Sequence, residues 1–335
     1  MAQRKNSSLS AAVASTALLV ALNTSAAFLQ LNSPEPESDA MQSSTATSAF
    51  KTDAMCHDVS VQVLGSGGPE LDDGRTSTGY VVWVNEKARI IVDAGSGSSV
   101  QFGDTGAHFE HIDALLLSHL HTDHAADLPS YVKGGYFTNR ESDLAVYGPA
   151  GNNMMPATSA YVNALLGDDG AFRYLSSYTN EGEDDYTIHT TDIASTASNQ
   201  PLLVTIDSDI SAEALSVPHG PIPTLAWKVM VNGCTVVFSG DTSDADNALA
   251  SFARNADLLV LHNAIPDNAS STAKNLHMTP TQLIDIAKQS KAKRILLSHI
   301  MKRSEAGLSA LTEAITVVAP GRVYAAEELM NITLE

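Results

Sequence analysis

The most restrictive feature of this 335-residue chain is the segment 118–124, which reads SHLHTDH. It places three imidazoles and one carboxylate directly after the apolar run 112–117, a pattern typical of a buried strand followed by a loop. Loops carried by a rigid scaffold often hold the functional side chains of a protein. Imidazoles and carboxylates bind zinc and similar divalent ions. The segment therefore predicts a metal site at a strand end, in preference to a group of solvated histidines.

Three further potential ligands, His219, Asp241 and His299, each follow an apolar, β-rich run later in the chain. Asp241 belongs to the short motif SGDT, and His299 to a late SH. If these strands converge on one edge of the fold, their ends come close to the loop 118–124. The spacing of the ligands therefore favours a site with two metals over a site with one.

The order HxHxDH, then His, then SGDT, then SH resembles the metallo-β-lactamase superfamily. It is similar to the phosphodiesterase and ribonuclease Z-like branch, because the antibiotic-hydrolysing enzymes most often have Cys where this chain has Asp241. The resemblance extends over roughly residues 61–323. It implies an α/β fold: an αββα sandwich of two mixed, mostly antiparallel sheets flanked by helices. Strands followed by helices, repeated in two halves of the sequence, agree with that architecture.

The resemblance also implies two divalent metal ions and a set of ligands for each. The first ion would be bound by His119, His121 and His219, the second by Asp123, His124 and His299, with Asp241 bridging both. Zn²⁺ is the expected metal, and Mn²⁺ or Fe²⁺ are alternatives that the same ligands suit. A water bridging the two ions would be the nucleophile, as hydroxide, and Asp123 is expected to be essential for catalysis.

Three other residues receive supporting roles from the resemblance. His277, in the motif HMT, is similar to the His-x-Thr of the ribonuclease Z-like branch and is expected to be a general acid, with helix capping as the alternative. Asp93 is expected to support the metal loop through hydrogen bonds. His262 occupies the place of a His-Glu pair but is followed by Asn263, so it is expected only to support the ligands.

Lys133, Tyr136 and Phe137 follow the histidine cluster closely. A cation and two aromatic rings could line a substrate pocket, and packing on a helix face is an equal alternative. The segment 168–192 is polar and strongly acidic, which predicts an irregular surface excursion, either a lid or an oligomer contact.

The N-terminus predicts export. Basic residues, an apolar run and small residues follow one another in 1–27, which is the layout of a signal peptide. A disordered linker is expected over 28–55 and the hydrolase domain over 56–335, in a periplasmic or secreted protein. An exported chain with two cysteines permits one disulfide, so a bond between Cys56 and Cys234 is a tentative expectation.

The composition bears on partners. The chain has 19 basic and 38 acidic residues, which gives a net charge of −19. Proteins that bind nucleic acid through its phosphates normally carry a basic patch. The connection from His219 to Asp241 is also too short for the long arm that many ribonuclease Z enzymes carry there. We therefore expect a small-molecule ester substrate, no nucleic-acid partner and no membrane contact after signal cleavage, and we leave a homodimer open.

Together these features predict an exported dinuclear hydrolase of small phosphodiesters, with cyclic nucleotides among the candidates. A lactonase, arylsulfatase, aryl esterase or phosphotriesterase on the same fold is the alternative. A non-catalytic metal-binding protein is a second alternative, which the complete ligand set disfavours.

Overall fold

The computed structural model describes residues 56–194, 200–319 and 321–334. All of them belong to one unit that spans Lys51–Glu335. The signal peptide predicted over 1–27 and the linker predicted over 28–55 lie outside the described residues. Those two boundaries therefore stay predictions.

Strands make up most of the regular structure of the described residues. In chain order they are β1 (Val59–Gly65), β2 (Gly79–Val84), β3 (Lys87–Ala94), β4 (Ala114–Leu116), β5 (Leu144–Pro149), β6 (Ile188–Ile193), β7 (Leu202–Thr205), β8 (Ile210–Val217), β9 (Thr224–Val231), β10 (Cys234–Phe238), β11 (Leu258–His262), β12 (Arg294–Ser298), β13 (Arg322–Ala325) and β14 (Asn331–Thr333). They form two sheets, with strand orders β14-β1-β2-β3-β4-β5-β6 and β13-β12-β11-β10-β9-β8-β7.

Helices connect the strands and cover the outer faces of the sheets. They are α1 (Ser98–Asp104), α2 (Thr122–Ala125), α3 (Leu128–Gly135), α4 (Thr158–Leu166), α5 (Leu249–Phe252), α6 (Ser271–Lys274), α7 (Pro280–Ser290), α8 (Lys302–Glu305) and α9 (Leu308–Val318). The start of α7 is fixed by its sequence, because Thr279 and Gln282 form a reciprocal capping box and Pro280 occupies the first turn. Over the residues that the structure describes, no helix has the length and apolar character needed to cross a membrane.

The predicted αββα sandwich is confirmed, with one correction to its sheets. Among the described strands, each sheet has three antiparallel and three parallel pairings, so neither is mostly antiparallel. The parallel pairs run from β3 to β6 and from β10 to β13. There the chain returns through helix-containing connections, which parallel pairing requires.

The core lies between the two sheets and includes the fully buried Trp227 and Tyr80. Near the metal loop, two hydrogen bonds join the sheets: Trp227 Nε1 donates to the carbonyl of Leu117 at 3.0 Å, and the Leu225 amide donates to the carbonyl of Ser118 at 2.9 Å. Because the loop begins at Ser118, these bonds fix its start against the second sheet.

Cys56 and Cys234 form a disulfide, with their Cα atoms 5.9 Å apart and both side chains buried. The bond joins the residues that precede β1 in the first sheet to the first residue of β10 in the second. It therefore links the two halves of the chain at the end of the sandwich where these strands begin.

The segment 168–192 is more regular than its composition suggests. It contains a 3₁₀ turn over Arg173–Thr179 and most of β6, the edge strand of the first sheet. The strand was missed because its middle residues are polar and half-buried or exposed. An edge strand of this kind lacks the apolar pattern that predicts strands from sequence.

Candidate metal centre

The candidate ligands gather at one edge of the sandwich, where the carboxyl ends of several strands meet. Loop 118–124 follows β4, Asp241 follows β10, His262 ends β11 and His299 follows β12. Ligand sites of α/β sheets typically form at the carboxyl ends of parallel strands. Here both sheets contribute such ends to the same place.

The buried carboxylate of Asp93 holds the metal loop in position. The amide and hydroxyl of Ser118 donate to its two oxygens at 2.7 and 2.8 Å, and His124 Nδ1 lies 2.8 Å from Oδ2. Asp93 has a positive φ of 58°, an uncommon backbone conformation for an L-residue. Its contacts agree with the supporting role expected of it.

The first group of ligands comprises His119, His121 and His219, which can all present a nitrogen within 4.8 Å of one another. His119 Nε2 lies 3.0 Å from His121 Nδ1. His219 Nδ1 lies 2.7 Å from the carbonyl of Leu276, which can only accept a hydrogen bond. The His219 proton therefore sits on Nδ1, and its Nε2 lone pair faces the group.

The second group surrounds the carboxylates of Asp123 and Asp241. His299 Nε2 lies 3.3 Å from an oxygen of each, and His124 Nε2 lies 3.6 Å from an oxygen of each. Asp241 Oδ2 also lies 4.0 Å from His119 Nε2 and 3.9 Å from His219 Nε2. Asp241 is therefore the side chain that stands between the two groups, as the sequence predicts.

These residues fit divalent cations. Four of the buried side-chain atoms that have no hydrogen-bond partner are ligand nitrogens: His124 Nε2, His219 Nε2 and both ring nitrogens of His299. A buried polar atom without a partner is costly, and in native structures it often marks an ion or a catalytic role. A donor set of imidazoles and carboxylates satisfies zinc and similar ions. The structure thus brings all seven predicted ligands into one metal-competent cluster.

The protonation of the cluster without metal follows from burial and from its carboxylates. Burial acts to raise the pKa of Asp123, but His124 and His299 lower it to about 2. Burial acts to lower the pKa of His299, yet Asp241 and Asp123 raise it to about 9. Burial lowers the pKa of His119 well below its ordinary value. The metal-free site therefore holds anionic carboxylates together with a mixture of neutral and protonated imidazoles.

His262 and His277 both contact Asp241 but differ in their partners. His262 Nδ1 lies 2.8 Å from Asp241 Oδ1, which agrees with the supporting role predicted for it. His277 Nδ1 lies 3.7 Å from Asp241 Oδ2 and has no hydrogen-bond partner. Burial lowers the pKa of His277 to about 3, so its ring is neutral near pH 7.

Two residues of the site carry no signal in the sequence. The buried Tyr80 places its hydroxyl 3.3 Å from His262 Nε2, although it lies on β2 in the other sheet. Arg303 on α8 donates from Nε to the carbonyl of Ala264 at 2.8 Å, and its charge helps to lower the pKa of His277 after the effects of burial and of the other histidines. Their roles depend on contacts between elements that are far apart in the sequence, and no local sequence motif predicts such contacts.

The structure places the predicted pocket residues on the protein surface. Tyr136 and Phe137 are 61% and 76% exposed. They gather around Lys133, whose Nζ lies 4.0 Å from the centroid of the Tyr136 ring. The end of α3 that carries them faces solvent, and their place in a substrate pocket stays a prediction. An open groove of about 490 Å³ lies beside His219, lined by Asn152 and the proline-rich loop 218–223.

Comparison with known proteins decides the family. Residues 88–300 match the model of a beta-lactamase superfamily domain. The chain belongs to the beta-lactamase superfamily. Together with the relatives described next, this match confirms the predicted metallo-β-lactamase fold, its ribonuclease Z-like branch and the prediction of a metal-dependent hydrolase.

Individual members of the superfamily agree with this assignment. The chain is 28% identical over 299 residues to ribonuclease Z of Haloferax volcanii, a match that covers 79% of this chain and 92% of that protein. The fold is similar to that of human short-form tRNase Z, with a TM-score of 0.64, 20% identity and coverage of 82% and 99%. It is also similar to the metallo-beta-lactamase fold protein YhfI of Bacillus subtilis, with a TM-score of 0.59, 24% identity and the same coverage.

The relatives correct one prediction. The expectation that the chain has no nucleic-acid partner was wrong, because its relative in Haloferax volcanii is a ribonuclease. The physical reason is that a net charge of −19 sums over the whole chain. Charges more than about 8 Å from a site are largely screened at physiological ionic strength, so a total does not describe the field at the metal centre.

Proposed function

We propose that this protein hydrolyses phosphodiester bonds at a dinuclear metal centre. The observation that carries the proposal is the cluster around Asp241, in which two groups of ligands present unpartnered nitrogens towards one buried carboxylate. A site that only stabilised the fold would be expected to enclose one ion fully. Two adjacent groups are typical of enzymes that stabilise both oxygens of a displacement at phosphorus.

His119, His121 and His219 would hold one cation, and Asp123, His124 and His299 the other, with Asp241 shared. When bound, the two cations would activate a water and neutralise the negative charge on the phosphoryl oxygens. Zn²⁺ is the metal that we propose, because imidazole-rich sites with carboxylates suit it.

The protein's own groups would hold these parts in place. Asp93 fixes His124 and the start of the loop through Ser118, so the ligands are oriented before a substrate arrives. His277 keeps a neutral ring whose Nδ1 has no partner in the protein, which leaves this atom for a substrate oxygen. Arg303 adds a positive charge close to His277, which favours an anionic substrate.

Two classes of phosphodiester are supported by different observations. RNA is supported by the ribonuclease Z relatives, one of which is aligned over 92% of its own length. Small phosphodiesters are supported by the short connection between His219 and Asp241, which leaves little chain for an arm that grips a large substrate. We propose that the chemistry is common to both and that the groove beside His219 decides which fits.

Export remains our proposal for the location of the protein. It is supported by the basic, apolar and small residues that follow one another in 1–27. N-terminal sequencing of protein expressed from the full chain tests it. Cleavage near residue 27 is the expected result, and an intact N-terminus in the soluble cell fraction would contradict it.

The function is tested by measuring kcat/KM of metal-loaded protein against a panel of esters. The panel contains bis-p-nitrophenyl phosphate, a cyclic nucleotide, a precursor tRNA transcript, a lactone, an aryl sulfate and a phosphotriester. We expect a phosphodiester to give the highest value. A lead for RNA or for a small diester would name the substrate class. A lead for the lactone, sulfate or triester would overturn the phosphodiester proposal while keeping the metal centre.

A further inference from the structure

Tyr80 reaches the metal centre from the opposite sheet. It lies on β2, its side chain is completely buried between the sheets, and its ring packs 5.2 Å from that of Phe238 at the end of β10. Its hydroxyl lies 2.8 Å from Ser298 Oγ and 3.3 Å from His262 Nε2. One side chain of the first sheet thus contacts the last residues of two strands, β11 and β12, in the second.

The hydrogen bonds define which nitrogen of His262 carries the proton. His262 Nδ1 faces Asp241 Oδ1 at 2.8 Å, and a carboxylate can only accept, so Nδ1 is the donor. His262 Nε2 faces the Tyr80 hydroxyl at 3.3 Å, so the ring is held between Asp241 on one side and Tyr80 on the other. Burial raises the pKa of Tyr80, so its hydroxyl stays protonated. That hydroxyl donates to Ser298 Oγ, and its oxygen lies within hydrogen-bond distance of His262 Nε2.

This orientation matters because His262 could itself become a ligand. His124, Asp241, His262 and His299 can bring one ligand atom each to within 4.8 Å of one another, and all four are buried. If His262 turned towards a cation, Asp241 would lose the donor that fixes its Oδ1. A mononuclear site of four residues would then compete with a centre that shares Asp241 between two ions.

We propose that Tyr80 is a positioning residue of the metal centre: its hydroxyl holds His262 as a donor to Asp241 and keeps His262 from binding metal. The inference rests on the proposed dinuclear centre, because only a shared Asp241 needs this orientation. Groups that orient metal ligands in this way typically change metal affinity about 10–100-fold when they are removed.

The test compares two tyrosine-to-phenylalanine variants. Tyr80→Phe removes the hydroxyl at the centre, and Tyr131→Phe removes that of a second buried tyrosine, which donates to Ser98 Oγ at 3.3 Å on the outer side of the first sheet. Zn²⁺ affinity is measured by competition with a chromogenic chelator. We expect Tyr80→Phe to weaken the more weakly held of two ions about 10–100-fold, with Tyr131→Phe within about threefold of the natural protein.

A double variant shows whether Tyr80 acts through His262. His262→Gln removes the same orientation, so adding Tyr80→Phe to it should change Zn²⁺ affinity little, as for residues in one network. A full additive loss would overturn the proposal, as would equal affinities for Tyr80→Phe and Tyr131→Phe. If the natural protein binds fewer than two ions, the dinuclear proposal itself fails, which is a distinct result.

If Tyr80→Phe does not fold, nitrogen-15 NMR of the histidine rings in the natural, zinc-loaded protein still decides. The two-bond proton–nitrogen correlations distinguish the two neutral forms of an imidazole. We expect His262 to carry a proton on Nδ1, with neither ring nitrogen bound to metal. An unprotonated Nδ1, or a metal shift at either nitrogen, would overturn the proposal.

Discussion

The two halves of the molecule share one order of elements but supply the metal centre in different ways. The first half, β1–β6, and the second half, β7–β13, both begin with antiparallel strands and end with three parallel pairings joined through helices. The first half gives the centre one continuous loop, 118–124. The second half gives single residues from separate strand ends, among them His219, Asp241 and His299.

The two halves therefore differ in what fixes the positions of their metal ligands. The loop 118–124 is fixed by a few nearby hydrogen bonds, which join Ser118 and His124 to Asp93. The ligands of the second half depend instead on how strands pack, and their support comes from far away in sequence, as with Tyr80 and His262. We therefore expect changes in the first half to act on individual ligands, and changes in the second half to act on the whole centre.

The strongest test of this contrast is Asp241→Asn. Because Asp241 stands between both ligand groups, its replacement should release both ions and lower kcat/KM on the order of 10³-fold or more. The matched control is Asp257→Asn, a buried carboxylate of the same half that pairs with Lys293 at 2.7 Å. Metal content and diester hydrolysis are measured together. If Asp241→Asn retained both ions, the claim that changes in the second half affect the whole centre would be wrong.

Asp123→Ala, a change in the first half, should affect only one of the two ions. We expect loss of the second ion and of nearly all activity, with the first ion and the fold retained. The reason is that Asp123 Oδ2 lies 3.6 Å from His124 Nε2 and 3.3 Å from His299 Nε2, both ligands of the second ion. Elemental analysis and circular dichroism check these outcomes. The exposed Asp104→Ala is the control. An active variant would remove the requirement for two ions.

His277→Ala should spare metal content and slow hydrolysis selectively. Because Nδ1 of the neutral His277 ring has no partner in the protein, it can donate a hydrogen bond to the leaving oxygen. Poor leaving groups should therefore suffer more than nitrophenyl esters, by roughly 10²-fold for one lost donor. The rates of an alkyl and a nitrophenyl diester are compared, with His189→Ala as the control. Equal slowing of both diesters would exclude a role at the leaving group.

Removal of the disulfide tests how far the halves depend on each other. The variant with Cys56→Ser and Cys234→Ser should lose about 2–4 kcal/mol of unfolding free energy, because the bond restricts the unfolded chain. Denaturant unfolding gives this value for metal-loaded protein. Zinc content below the unfolding transition should not change. A drop in zinc content would show that the bond also positions the second-half ligands.

The smallest expected effect is the pH dependence of metal binding. In metal-free protein His299 has a pKa of about 9, so it is protonated at pH 7.5 and must lose that proton to bind an ion. Zinc affinity should therefore rise with pH, by about tenfold per unit for each released proton, until the pH passes about 9. Calorimetry in buffers of different ionisation enthalpy counts the protons. No proton release at pH 7.5 would contradict the raised pKa.

The sequence was most informative where the site is local. The histidine-rich loop and the ligands after β8, β10 and β12 follow from motifs that stand next to apolar runs. The edge strand β6 was missed because its exposed residues are polar.

Features that depend on contacts between distant parts of the chain could not be predicted from the sequence. Tyr80 looks like any aromatic residue of an apolar strand, and its role depends on the sheet opposite. Closeness in sequence to the loop also does not fix the direction of a helix end, and the structure places Tyr136 and Phe137 at the surface. The net charge led to the wrong exclusion of a nucleic-acid partner, since a sum over the chain does not say where the charges lie.

The most direct test is a zinc titration of metal-free protein in which hydrolysis of bis-p-nitrophenyl phosphate is followed at each addition. A centre that both halves share through Asp241 predicts little activity up to one equivalent and a steep rise between the first and the second. Full activity at one equivalent, or no diester hydrolysis at two, would contradict a dinuclear phosphodiesterase.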